Sequence, residues 1–302
     1  MHISLDSALG QQRRLNSVGE SITQIAPDPA AAYSLRSLTG ADPKVVRVRR
    51  DTGGGAGDND EQDFTASGVS SGALVDFVGS GNDGFVETWY DQSGNGRDST
   101  QTVAARQPII VEAGVFQDGL KFTHTDTTNG KRLFIPRTTV DLGTEFALVW
   151  VGKVTSSTSS ISTILGATRN VVSFATGTVG LCIKSNTGTS YFINEQTTSA
   201  REILLQSSVI TLNEDSVVFA NYDDASALLS VDGSTSTATF SSPVLTRAKN
   251  LGIMNATGNS TSNYRTQESP TGICREVLVY DTNQTDNRVA LETNINNQYN
   301  LF

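Results

Sequence analysis

A chain of 302 residues with 37% hydrophobic and 18% charged residues is long enough to bury a substantial core, as one large domain with an appendage or as two ordinary domains. Its formal net charge of −9 and pI near 4.7 oppose a phosphate backbone and exclude the broad basic face by which nucleic-acid binders release counterions. No apolar run reaches the roughly 18 residues that a membrane span requires, so neither nucleic acid nor insertion into a bilayer is expected.

Abundant Ser, Thr, Asn and Gly point to short strands joined by polar turns, which makes an all-β chain the expectation. Residues 1–30 stand apart. Leu9, Leu15, Val18, Ile22 and Ile25 recur at roughly helical spacing before "APDPAAA" interrupts the pattern. So short an apolar stripe cannot bury itself, and the segment reads as an arm before a domain at 31–302, one that docks on its own domain, on a sister subunit or on another protein. Asp6, Arg13 and Arg14 fall where a secretion signal needs an unbroken apolar stretch, so synthesis without export is expected.

"AYSLRSL" at 32–38 and "KVVRVRR" at 44–50 read as strands, the second alternating Val46 and Val48 with Arg47 and Arg49. The acidic loop that follows, "DTGGGAGDNDEQD", offers Asp58, Asp60, Glu61 and Asp63 as calcium ligands. Its spacing lacks the glycine of an EF-hand, and Arg47, Arg49 and Arg50 are equally available partners. "SSGALVDFVGSG" reads as a short helix capped by Ser71 and stopped by Gly79. Among the described motifs no other cofactor site is expected.

The stretch "WYDQSGNG" at 89–96 packs two aromatics, a carboxylate, two amides and two glycines into eight residues. Ser93-Gly94 and Asn95-Gly96 are turn dipeptides, and Asp91 is able to accept from backbone N–H groups two residues on, which favours a hard turn after the strand "GFVETWY". The alternative is a carbohydrate site in which Trp89 or Tyr90 stacks on a sugar while Asp91 and Asn95 grip its hydroxyls.

Downstream, "FALVWVGKV" at 146–154 is apolar on both faces, as in a strand covered on two sides. "SVVFANY", "ALLSV" and "TSTATF" read as a meander turning at Asp223-Asp224 and Asp232-Gly233. The chain closes with a strand at 274–280 and a helix from about Asp286, with Leu291, Ile295 and Tyr299 on one face. Cys182 and Cys274 lie in separate strand-like runs and read as buried thiols, and His2 and His124 are too isolated for a metal or relay site.

Over about residues 31–302 the sequence resembles the catalytic-domain family of α-L-arabinofuranosidase B, including its phage and prophage-borne relatives. The resemblance rests on "AYSLRSL", "VVRVRR" with "DNDEQDF", "WYDQSGNGRDSTQ" and the closing "REVLVYD". It implies a concanavalin-like antiparallel β-sandwich, or jelly roll, with a C-terminal helix. It also implies where catalytic carboxylates would stand. The nucleophilic Glu of a Gly-x-x-Glu-x-Ile strand aligns with Leu181, and the acid, an Asp after "LGIGG", aligns with Asn255 or Ala256. Retaining hydrolysis needs two carboxylates about 5 Å apart, and both positions lack one. The family's adjacent cysteine pair is missing too.

The expectation is therefore a non-enzymatic, oligomeric phage virion protein, a fibre, decoration or tail-associated component. Its lectin-like domain would meet host-surface glycans while its arm meets other virion proteins. The alternatives are a glycosidase of arabinofuranosidase type and a free carbohydrate-binding module.

Overall fold

A computed structural model describes residues 19–124, 130–136, 142–157, 162–166, 178–183, 189–195, 202–224, 226–239, 251–257, 264–265 and 269–302. In its N-terminal half lie strands β1 (Ala31–Ser34), β2 (Lys44–Asp51), β3 (Glu61–Thr65), β4 (Asp83–Trp89), β5 (Ser99–Thr100), β6 (Ile109–Glu112), β7 (Val115–Phe122) and β8 (Leu133–Ile135). The middle supplies β9 (Glu145–Ser156), β10 (Ser162–Gly166), β11 (Thr178–Ile183), β12 (Thr189–Glu195) and β13 (Glu202–Val209). There follow β14 (Asp215–Asp223), β15 (Ser226–Val231), β16 (Ser234–Thr239), β17 (Leu251–Ile253), β18 (Ala256–Thr257), β19 (Tyr264–Arg265) and β20 (Thr271–Tyr280). The helices are α1 (Ile22–Ile25), α2 (Ala66–Ser70), α3 (Ala73–Val78) and α4 (Arg288–Tyr299).

The strands form a concanavalin-like antiparallel β-sandwich. The larger sheet runs β16-β15-β14-β9-β20-β7-β6-β4-β2-β3, with β1 paired to β20 and β5 to β4. The second runs β13-β12-β11-β10-β17-β8. β9 lies at the centre of the larger sheet and explains its layering. Leu148, Trp150 and Val154 enter the core between the sheets, whereas Ala147, Val149 and Val151 enter a second core on the outer face. α4 closes that outer core with Leu291 and Ile295, each fully buried and stabilising by about 1.5–3 kcal/mol. The apolar pattern on both faces of "FALVWVGKV" thus corresponds to cover on both sides.

The meander forms as its turns require: β15 and β16 are joined by Asp232 and Gly233 alone, with φ of 49° and 79°. A two-residue connection with both φ positive follows the twist of the strands it joins, and glycine takes the second position without a Cβ penalty.

Two sequence expectations change and one open alternative is selected. The helix expected from Ser71 to Gly79 is α3, which Gly79 does terminate, but its N-cap is Gly72 at φ 89° rather than Ser71, and a separate helix, α2, precedes it. The strand expected over 32–38 stops at Ser34, because the Gln92 side-chain amide captures the carbonyls of Ser34 and Arg36 and the N–H of Leu38. Of the alternatives for the segment before residue 31, its described part docks on its own domain. Ile22 and Ala26 are fully buried in the outer core beside Leu291 and Ile295, and the Asn294 amide donates to the Glu20 carbonyl at 2.7 Å. Residues 20–30 are therefore part of the sandwich's own packing. Leu9, Leu15, Val18 and His2 lie outside the described residues.

Candidate functional site

The "WYDQSGNG" stretch forms a hydrogen-bonded turn after β4. Trp89 is fully buried, with Tyr33 at 5.5 Å between ring centroids, so its indole plane is part of the core. Beyond Trp89 the backbone continues as a stitch between β1 and β2. Tyr90 donates its N–H to the Val45 carbonyl, and Gln92 donates to the Ala32 carbonyl. The Asp91 carboxylate accepts from the N–H groups of Ala32, Ser93 and Arg97 and from the Ser93 hydroxyl. The Asn95 amide donates to the Pro29 and Ala30 carbonyls, and the Tyr90 hydroxyl donates to Asp63 at 2.7 Å. Burial and that hydrogen bond push the Tyr90 phenol up to about 12. Trp89, Tyr90, Asp91 and Asn95 are thus brought together; the Tyr90 hydroxyl, the Asp91 carboxylate and the Asn95 amide nitrogen are engaged within the protein, and the Trp89 N–H is buried where no ligand reaches it.

The acidic loop behaves in the same way. Asp58 accepts from the Thr52 N–H and the Asn59 amide, Asp60 pairs with Arg50 at 2.7 Å, and Asp63 pairs with Lys44 and Arg47. The Arg47 hydrogen bond holds the Asp63 carboxyl well below the usual range. The three carboxylates face different cations and donors rather than one another. Among the described residues no group of three His, Cys, Asp or Glu side chains is placed to hold a metal ion.

At the positions aligned with the family's catalytic carboxylates, Leu181 lies in the core between the sheets. Its strand neighbours Gly180 and Cys182 carry no carboxylate, and Cys182 faces Thr163 at 3.7 Å. Asn255 is fully buried and accepts from the Ser269 hydroxyl at 3.3 Å.

A different feature has the dimensions of a ligand site. A cleft of about 790 Å³ opens between α2, α3, the loop after β1, the start of β7 and the end of α4. Its floor is built by an irregularity. Between Cys274 and Glu276 the register of β20 on β9 shifts, as at a β-bulge, where one extra residue re-aims its neighbours. Gly152 makes room on the opposite strand, since a Cβ there would lie 2.2 Å from the Ile273 carbonyl oxygen. The consecutive residues Arg275 and Glu276 then both reach Tyr299 of α4.

The floor is densely paired. Glu276 is fully buried and accepts from Arg36 Nε at 2.8 Å, Arg36 Nη2 at 3.0 Å and the Tyr299 hydroxyl at 3.2 Å. Burial opposes the Arg36 charge, but the charge of Glu276 and these hydrogen bonds hold the guanidinium protonated. Arg275 grips Asp215 through Nε and Nη2 at 2.9 and 3.0 Å, and its Nη1 donates to Asp118. Both guanidinium carbons lie 5.8 Å from the Tyr299 ring centroid, and burial pushes the Tyr299 phenol well above its usual range, aided by Glu276.

At the rim the pairing stops. Arg36 Nη1 has no acceptor among the described residues, and Gln298 is exposed with no side-chain partner there. The opposite wall is apolar, from Leu35, Val69, Val75 and Phe116. Sequence reasoning passed over this place. The available signal was the pair Arg275-Glu276 inside an otherwise apolar strand, since two adjacent charges in a covered strand need partners.

No protein-family model and no curated protein sequence matches the chain. Among solved structures, a GH54 α-L-arabinofuranosidase soaked with a cyclic sulfate inhibitor superposes with a TM-score of 0.57 at 12% identity, covering 91% of this chain and 65% of its own. An arabinofuranosidase complexed with arabinofuranosyl-α-1,2-xylobiose gives a TM-score of 0.55 at 11% identity, covering 91% and 64%. The chain therefore spans just under two thirds of the length of these structures, and at such identity the likeness establishes the shared β-sandwich fold.

Proposed function

We propose that the chain is a carbohydrate-recognition sandwich without glycosidase activity, presented in several copies by its N-terminal segment on a phage particle. The observation that carries the reading is Leu181. A chain with the fold of arabinofuranosidases has an apolar core residue at the position aligned with the nucleophile, and an amide, Asn255, near that of the acid. Loss of both groups removes the two-carboxylate chemistry, while the sandwich that presents a glycan is retained. Placement on a particle rests on the resemblance to phage-borne relatives and on the need of a weak single site for multiple copies. Millimolar affinity corresponds to about −4 kcal/mol, and linked copies raise it by roughly 10²–10⁴.

The test has two arms. With a chromogenic α-L-arabinofuranoside the purified chain should release no arabinose above the enzyme-free rate, and on a glycan array a multimerised form should retain a defined subset of spots. Arabinose release would overturn the non-catalytic reading, and a blank array would overturn recognition. Electron microscopy of the native assembly tests the particle, where repeated copies of the sandwich are expected.

A further inference from the structure

We infer that the cleft beside α4 binds a neutral saccharide, with the apolar wall against one face of a sugar ring and the rim groups on its hydroxyls. This rests on the carbohydrate reading above and adds a location and a ligand class. The location is unlike that of the aligned catalytic positions. Tyr299 and Gln298 belong to the helix on the outer face of the larger sheet, and although the apolar wall of Leu35, Val69, Val75 and Phe116 packs against the inner core that also holds Leu181, neither Leu181 nor Asn255 lines the cleft.

Size and lining agree with a small ligand: about 790 Å³ falls within the roughly 300–1,000 Å³ of small-molecule sites. The two walls are chemically unlike. Leu35, Val69, Val75 and Phe116 present carbon to the cleft, while Arg36 Nη1 and the Gln298 amide present unengaged donors and an acceptor. A pyranose or furanose ring has the same division, with C–H groups on a face and hydroxyls around the edge, and hydroxyls both donate and accept.

Charge selects the class. The lining carries two arginines and two aspartates, Arg36, Arg275, Asp42 and Asp118. None of these charges waits for a counter-ion. Arg36 faces Glu276, Arg275 faces Asp215 and Asp118, and Asp42 accepts from the Ser67 N–H and hydroxyl at 2.8 and 2.6 Å. A carboxylate or sulfate entering here would meet acids already beside each guanidinium, and a cation would meet carboxylates already engaged. A neutral, hydroxyl-rich ligand meets neither obstacle.

The experiment uses the full chain and titrates arabinotriose, xylotriose, maltotriose and, as the anionic probe, trigalacturonate, followed by ligand-observed NMR. At least one neutral trisaccharide should bind in the millimolar range, with trigalacturonate weaker. Ala41→Trp and Ser70→Trp, both at exposed lining positions, should fill the cleft and weaken that binding at least 10-fold with the melting temperature unchanged. Gln298→Ala should weaken it about 2–10-fold, the loss of one or two hydrogen bonds. Wild-type binding in both folded Trp variants would overturn the location while leaving carbohydrate recognition standing. Tighter binding of trigalacturonate would overturn the neutral class. Binding of no trisaccharide by the wild-type chain, with glycans still retained on the array, would overturn the cleft alone; failure of both would remove the carbohydrate reading with it.

Discussion

The stitch at residues 89–98 and the cleft at α4 are both rich in aromatics, amides and charges, yet they differ in what is left over. In the stitch, Asp91 accepts four hydrogen bonds, Gln92 makes three through its side chain and Asn95 two, all to protein groups. In the cleft the floor is equally saturated, but Arg36 Nη1 and Gln298 at the rim are not. The Trp89 N–H is also unpaired but fully buried, so a dense polar motif marks a ligand site only where accessible hydrogen-bonding capacity remains beside an apolar wall after the fold has formed. The lesson is one of accounting for donors and acceptors rather than of composition.

Mutation is the most direct way to break this comparison. Trp89→Ala should lower stability by about 3–5 kcal/mol, the cost of an aromatic cavity in a packed core, measured by urea unfolding. A stable Trp89→Ala protein that had lost glycan binding would reverse the assignment of the stitch. On the cleft side, Glu276→Ala should cost a similar 3–5 kcal/mol, because it leaves the Arg36 charge without its buried partner. The double variant Arg36→Met with Glu276→Met should recover much of that loss, and thermal melts of the wild type, the two single Met variants and the double give the coupling directly.

Acidification probes a group outside both regions. Burial pushes the His124 imidazole from 6.5 down to about 4, so the folded state keeps it neutral while the unfolded state takes up a proton as pH falls below 6.5. Stability should be complete above that pH and should decline towards pH 4, by up to about 3 kcal/mol. Urea midpoints at pH 7, 5.5 and 4 measure the slope, and His124→Gln should flatten it. Asp63, held low by Arg47, should respond only at still lower pH. The smallest effect is expected at the acidic loop, where Asp60→Asn removes a partly exposed pair with Arg50 and should cost less than about 1 kcal/mol, with no change in melting temperature on adding millimolar calcium.

Much of the sandwich was legible because its signals are local. Period-two alternation in β2, apolar residues on both faces of β9, the Asp232-Gly233 turn and the four-residue spacing of Leu291, Ile295 and Tyr299 each fix a strand, a turn or a helix face over a few residues. The hard-turn character of 89–96 was legible for the same reason. The candidate cleft was not, since its floor joins Arg36 to Glu276 across 240 positions and Arg275 to Asp118 across 157.

What the sequence determined by itself is thus the class of fold, the order of its elements and the absence of carboxylates from the stretches aligned with the catalytic ones. Only the tertiary structure decided that Trp89 turns inward, that residues 20–30 pack as part of the sandwich, and that a bulge in β20 gathers two arginines around Tyr299. The physical reason is that backbone periodicity depends on neighbours a few residues away, whereas burial and pairing depend on which distant surfaces meet. A one-residue shift of β20 at Cys274–Glu276 decides which side chains face α4, and no local pattern records it.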